Sequence, residues 1–175
     1  QGAVLETDCV YVVPLQERLR LPSRVDAFAN PKSSIGRLDV FTRVIADGSG
    51  TFDRVPRGYR GPLYAEIAPR TFSIKVREGS RLCQLRIRRG TPTVRGGMLA
   101  QLNRDARLVD TPAEHAIIQN DLIGVTLDLD GELGDPVGFR ARKHTDFIDL
   151  DRVGAYDAAE FWEPIRPHKG GGIVL

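Results

Sequence analysis

Residues 62–88 read PLYAEIAPRTFSIKVREGSRLCQLRIR, and their pattern decides the fold class. In PLYAEIA, Leu63, Ala65 and Ile67 alternate with Tyr64, Glu66 and Ala68, the period of a strand that buries one face. TFSIKV follows, set off by Pro69-Arg70, and RLCQLRIR alternates Leu85 and Ile87 with Arg86 and Arg88. Upstream, CVYVV and VFTRVIA are rich in the β-branched residues that strands favour. Glycine or proline falls between nearly every pair of runs. Short strands at close spacing, punctuated by turns, predict a β-sandwich or barrel-like fold rather than alternating βαβ units. The predicted core is mainly β.

The texture changes after Gly90. GGMLAQLNRDARLVD predicts a helix from about Met98, with Met98, Leu99, Leu102 and Leu108 as its apolar positions. TPAEHAII opens with Thr111, Pro112 and Glu114, a cap, a first-turn proline and a capping-box acid that predict a short helix. GVTLDLDGELGD returns to alternation at Val125, Leu127 and Leu129 and turns at Asp130-Gly131. YDAAEFWEP predicts a last short helix stopped by Pro164, and RPHKGGGIVL reads as a linker. The expected organisation is one domain over 1–165, made of a β core at 1–90, a helical insertion at 91–120, and returning strands with a short helix at 121–165. Residues 166–175 are then either a linker to a second domain that IVL would open, or an ordinary tail. No internal repeat is visible. The first residue is Gln1, not Met, so a processed, excised or truncated piece is expected.

Composition excludes several functions. The 175 residues are 41% hydrophobic and 27% charged, the balance of an ordinary soluble domain. No apolar run approaches the roughly 18–20 residues that span a bilayer, and QGAVLETDCV is no signal peptide. Cys9 and Cys83 each sit in an apolar run, so buried free thiols and a reducing, cytoplasmic compartment are expected. There is no CxxC or HExxH, and His115, His144 and His168 are scattered, which argues against a protein-built zinc site. A formal charge of +2 does not announce a nucleic-acid binder. Arginines nevertheless cluster at Arg81, Arg86, Arg88 and Arg89, with Arg57 and Arg60 nearby. They read either as a solvated strand face or as positive potential around an anionic small molecule.

The chemistry centres on NPKSSIGRLDVFTR, residues 30–43, which packs Lys32, Ser33, Ser34, Gly36 and Arg37 between two strand-like runs. It reads as a polar turn, or as an anion site where hydroxyls, amides and cations converge on phosphates. No G-x-S-x-G elbow and no P-loop occurs. What remains is a pair of acids, Asp53 in TFDRVPRGYRG and Glu66 in PLYAEIA. Alternation turns Glu66 away from the face carrying Ala65 and Ile67, either into solvent or into an apolar pocket where desolvation would favour proton transfer.

These segments, in order, resemble the motifs of the dCTP deaminase/dUTPase family: an S-S-x-[GA]-R loop, an Asp-containing turn with an aromatic-x-Gly, a strand bearing an acid, and a G-x-x-[IL]-x-Q-[IL] strand. LETDCVYVVPLQERLRLP is similar to the strand pair that precedes them, so the resemblance spans about 7–90. It implies a dUTPase-like distorted β-barrel (β-clip) with short helical insertions, and the N-terminal half of a tandem two-domain bacterial deaminase. Lys32, Ser33, Ser34, Gly36 and Arg37 match the phosphate- and site-organising loop. Asp53 matches the acid at the sugar, Tyr64, Ala65 and Glu66 the strand that holds the base, and Gln84 the last motif. The resemblance implies zinc-free deamination of dCTP, with Glu66 activating water and Ser33 and Arg37 orienting it. Magnesium would arrive with the triphosphate, and a homotrimer would place the nucleotide between subunits. dUTP or dTTP are alternative ligands, while nucleic acid and membrane are not expected partners.

The sequence departs from the family pattern in three places. GSGT and RVPR look like insertions, HKGGGIVL offers no counterpart to the family's closing segment, and the family's first helix and strand are missing. Two rival readings stay open. One is a dUTP pyrophosphatase, or a bifunctional deaminase-diphosphatase, in which Asp53 activates water and Tyr59 packs beneath the deoxyribose. The other is a non-catalytic nucleotide-binding or oligomerising half.

Overall fold

The fold is taken from a computed structural model that describes residues 1–90, 97–110, 117–119, 122–127 and 135–166. In chain order the elements are β1 (Ala3–Leu5), β2 (Tyr11–Arg20), β3 (Val25–Pro31), α1 (Ser33–Gly36), β4 (Val40–Ala46), β5 (Arg54–Val55), β6 (Arg60–Pro69), β7 (Ile74–Val76) and β8 (Cys83–Arg89). Then come α2 (Met98–Ala106), β9 (Ile118–Gln119), β10 (Leu122–Ile123), β11 (Gly138–Ala141), β12 (Ile148–Asp149), α3 (Ala158–Phe161) and β13 (Trp162–Ile165). Gln1–Gly90 with Arg140–Glu163 forms one compact unit, and Thr91–Phe139 with Pro164–Leu175 another. No helix among the described residues is long and apolar enough to cross a membrane.

The first unit is mainly β, as the alternation in PLYAEIA requires. Three three-stranded sheets have the orders β2-β6-β4, β5-β3-β8 and β1-β7-β12. All pairs are antiparallel except β12 on β7. β6 lies at the centre of its sheet, so its backbone is paired on both sides and its side chains divide cleanly between two faces. Leu63, Ala65 and Ile67 are buried, and the register sets them beside Ala46, Val44 and Thr42 of β4, which are buried too. One core cluster joins Leu63, Val44 and Ala46 to Ala27, Ala29 and Tyr59. A second joins Ala65 and Ile67 to Ile35, Val40, Leu5 and Ile74. A third is aromatic, with the Phe72 ring edge-on to Phe161 and Trp162 at 5.5 and 5.4 Å.

The polar stretch between β3 and β4 folds as one helical turn, α1, and not as a simple loop. The Lys32 carbonyl accepts from Ile35 and Gly36 amides at 2.8 and 3.0 Å. Ile35 anchors the turn by dropping into the core.

Local readings fail where the chain lacks a partner to pack on. Cys9 is exposed rather than buried, because β2 begins only at Tyr11; Cys83 is half-buried, and both thiols are free. Val125 and Leu127 are not in a strand and stand exposed, since no strand among the described residues takes up their backbone. α3 ends at Phe161, one turn after the Asp157 carboxylate caps the Ala159 amide, and Pro164 lies within β13. Among the described residues that strand pairs only with β11, so an edge position lacking an N–H is tolerated.

In the second unit α2 begins at Met98 as its periodicity predicts, but it buries none of its residues. β9 and β10 pair antiparallel as a two-stranded sheet. The helix predicted at Thr111, Leu129, the Asp130-Gly131 turn and most of the 166–175 linker lie outside the described residues.

Candidate active site

Glu66 stands on the outward face of β6 and is met by Arg43, the residue directly across from it on β4. The Arg43 guanidinium donates to Glu66 Oε1 through Nε, at 3.1 Å, and through Nη2. Both bonds go to Oε1, so Oε2 has no hydrogen-bond partner among the described residues. Across the other side of β6 the neighbour is Val12, 59% exposed. The guanidinium lies over the Phe52 ring at 3.6 Å and near Phe41 at 4.9 Å, and both rings are exposed. The Glu66 side chain itself is only 16% exposed. A carboxylate held at one oxygen, open at the other and flanked by apolar groups is suited to accept a proton. Tyr64 shares this face, two residues along the same strand.

The serine loop lies on the other side of that sheet. Ile35 packs with Ala65 and Ile67, the face opposite Glu66. Within one chain, therefore, Ser33 and Arg37 are not brought to the carboxylate. Arg37 Nε donates to the Ser33 carbonyl at 3.2 Å, closing the turn on itself. Lys32 and Ser34 line a cavity of about 460 Å³ whose rim includes Ser80, Arg81 and Arg152. Gly36 faces open space, with nothing within 4 Å of where a Cβ would stand.

The remaining candidate residues are held structurally. Asp53, at φ 59°, accepts the Val44 amide on Oδ1 at 2.8 Å, and its own amide donates to the Val44 carbonyl at 2.8 Å. Burial, and then the Asp53 charge, push the Cys83 thiol up to about 11. Tyr59 is 8% exposed within the core; its hydroxyl donates to the Pro62 carbonyl and accepts the Asp47 amide at 3.1 Å. Gly61 leaves room for that hydroxyl, since a Cβ there would come within 2.7 Å of it. Ala65 points into the core, and its backbone is paired with Val13 and Val44. Gln84 sits opposite Asn30 and lines an apolar cavity of about 530 Å³.

Arg88, one of the clustered arginines, is paired within the chain rather than free in solvent. It forks onto Asp26 with two 3.1 Å bonds and covers Phe28. The bond to Arg88 holds the Asp26 carboxyl below its usual range. Among the described residues no three His, Cys, Asp or Glu side chains gather as a metal-binding group.

Sequence reasoning missed Arg43 and Phe52. The signal was present for Arg43: VFTRVIA and PLYAEIA each carry one mid-strand charge, of opposite sign, in otherwise apolar runs. Only the strand register makes them partners.

Residues 1–91 match the family model of the 2'-deoxycytidine 5'-triphosphate deaminase (DCD) N-terminal domain, and residues 96–175 that of the C-terminal domain. A solved structure, the 2'-deoxycytidine 5'-triphosphate deaminase from Agrobacterium tumefaciens, is 46% identical with a TM-score of 0.84. The match covers 96% of this chain and 48% of that one, so the chain spans about half the length of this relative. No curated protein matches. The order of motifs, the mainly β fold and the family models agree: the chain belongs to the 2'-deoxycytidine 5'-triphosphate deaminase family.

Proposed function

We propose that this chain provides the catalytic carboxylate of a deaminase that converts dCTP and water to dUTP and ammonia without zinc. The observation that carries the reading is Glu66, clamped at Oε1 by Arg43 and open at Oε2. Oε2 takes a proton from water as the water oxygen bonds to C4 of cytosine. Glu66 delivers that proton to N3, which keeps it, and then carries the hydroxyl proton of the C4 adduct to the exocyclic amine, so that the C4–N bond breaks, C4 becomes a carbonyl and ammonia leaves. Arg43 keeps the carboxylate oriented, so the base is preorganised before substrate binds. Tyr64 lies along the base, Asp53 meets the sugar, and Lys32, Ser34 and Gly36 take the phosphates with their magnesium ion.

Ser33 and Arg37 reach Glu66 from a neighbouring subunit. The support is that the loop and the carboxylate occupy opposite faces of one sheet, so a single chain cannot join them. The exposed Val12, Phe41 and Phe52 around Glu66 fit a face covered by another copy. Threefold cyclic closure would build three equivalent sites from one repeated contact. Light scattering on the intact protein should give three copies, and a fully active monomer would overturn this arrangement.

The pyrophosphatase alternative needs Tyr59 beneath the sugar and Asp53 as base. A buried tyrosine with both hydroxyl bonds taken weighs against it. The proposed compartment is the cytoplasm. The deciding assay is ammonia release from dCTP run beside pyrophosphate release from dUTP. Ammonia from dCTP is expected, and pyrophosphate alone would overturn the reading.

A further inference from the structure

The cavity bordered by Lys32 and Ser34 is closed by two other segments, the turn before β8 and residues 148–156. Its two acids, Asp149 and Asp151, are both engaged by Arg77. Asp149 takes the Arg77 fork on both oxygens, and Asp151 takes Arg77 Nη1 at 2.8 Å. The bonds from Arg77 hold the Asp149 carboxyl well below the usual carboxylate range, so its charge persists and stays paired. Lys32, Arg81 and Arg152 border the same space, and none has an ion-pair partner among the described residues. Three cations outside ion pairs and the hydroxyl of Ser34 thus border a cavity whose two acids are held by Arg77, an excess of positive charge suited to a phosphate cradle.

Arg152 is presented on a fixed turn. Its amide donates to the Asp149 carbonyl at 3.1 Å, and the Asp149 amide donates to the Tyr156 hydroxyl at 2.7 Å. Its guanidinium lies 5.4 Å from the Tyr156 ring centroid, so the side chain is steered along the cavity wall. The Asp149–Arg77 pair pins this turn to β7 through the parallel pairing of β12.

We propose that Arg152 binds the terminal phosphates of the nucleotide, completing with Lys32, Ser34 and Arg81 a cradle that selects the triphosphate over the monophosphate. The inference rests on the deaminase reading for the identity of the nucleotide. Arg152 is exposed, so its replacement leaves the fold intact. Arg152→Ala should raise KM for dCTP about 10- to 100-fold, the loss of one charged hydrogen bond. Because phosphate contacts far from C4 bind ground and transition states alike, kcat should change little. KM for dCMP should not move, and Arg152→Lys should recover part of the loss.

An active wild type whose preference for dCTP over dCMP is unchanged by Arg152→Ala overturns the inference. If the wild type releases no ammonia from dCTP, the deaminase reading falls, and the cradle is then judged with inorganic tripolyphosphate. A tripolyphosphate-induced rise in Tm that Arg152→Ala removes upholds the cradle. An equal rise in both proteins, or none in the wild type, overturns it.

Discussion

Two carboxylate–arginine pairs in the first unit look alike on paper and differ in how completely the acid is used. Asp149 is buried; both its oxygens are bound by the Arg77 fork, and Oδ1 also accepts the Asp151 amide at 3.1 Å. Glu66 is bound through Oε1 alone, by an arginine that leans on an exposed phenylalanine. An acid bound at both oxygens fixes structure, since neither oxygen is left to a substrate. An acid with one oxygen in reserve can do chemistry. The first pair ties residues 148–151 to β7, and the second faces outward where a substrate can arrive.

The sharpest way to break the contrast is Glu66→Gln. Glutamine keeps the shape but cannot take the proton, so ammonia release should fall about 10²–10⁴-fold with Tm little changed. A variant that keeps most of its turnover would remove Glu66 from the mechanism. Arg43→Ala comes next. It frees the carboxylate to rotate, and kcat/KM should fall about 10- to 100-fold, the usual range for one charged hydrogen bond. Steady-state kinetics alongside circular dichroism separates that loss from misfolding.

Asp149→Asn should act on stability instead. The folded-state pKa of Asp149 is depressed by the Arg77 bonds, so the folded protein holds fewer protons there than the unfolded chain. Its contribution is therefore present at neutral pH and is lost as pH falls below about 4, through the folded-state value. Thermal melts should show a lower Tm for the variant at pH 7 and a gap that narrows in acid. A gap independent of pH would show that the charge is not what matters. The smallest effect belongs to Phe52→Ala, which removes the ring beneath Arg43. A cation–π contact at such a site contributes about 0.5–1 kcal/mol, so a two- to five-fold loss of kcat/KM is the measurable outcome.

Much of this was legible in the residues. Alternation in PLYAEIA set Ala65 inward and Glu66 outward, and turn residues between apolar runs marked a mainly β core. Both follow from a period of two, which any strand with one buried face must keep. The onset of α2 at Met98 was visible for the same kind of reason, a local period. The exposed Cys9 and the unpaired Val125 and Leu127 were misread because an apolar run carries no record of whether a neighbour exists to cover it.

By itself the sequence determined which residue types stand at which faces, and the order of motifs that marks the family. Tertiary structure decided who meets whom. Arg43 and Glu66 are far apart in the chain and become neighbours only through the β4–β6 register, where a slip of one residue would put the two side chains on opposite faces of the sheet. Arg77 and Asp149 meet only because β12 docks parallel to β7. Tyr59, which the local motif offers to a sugar, is drawn inward because Gly61 opens space for its hydroxyl and two backbone groups bind it. Periodicity is local and survives in the sequence, whereas pairing depends on loop closure and register, which are settled only when the sheets pack.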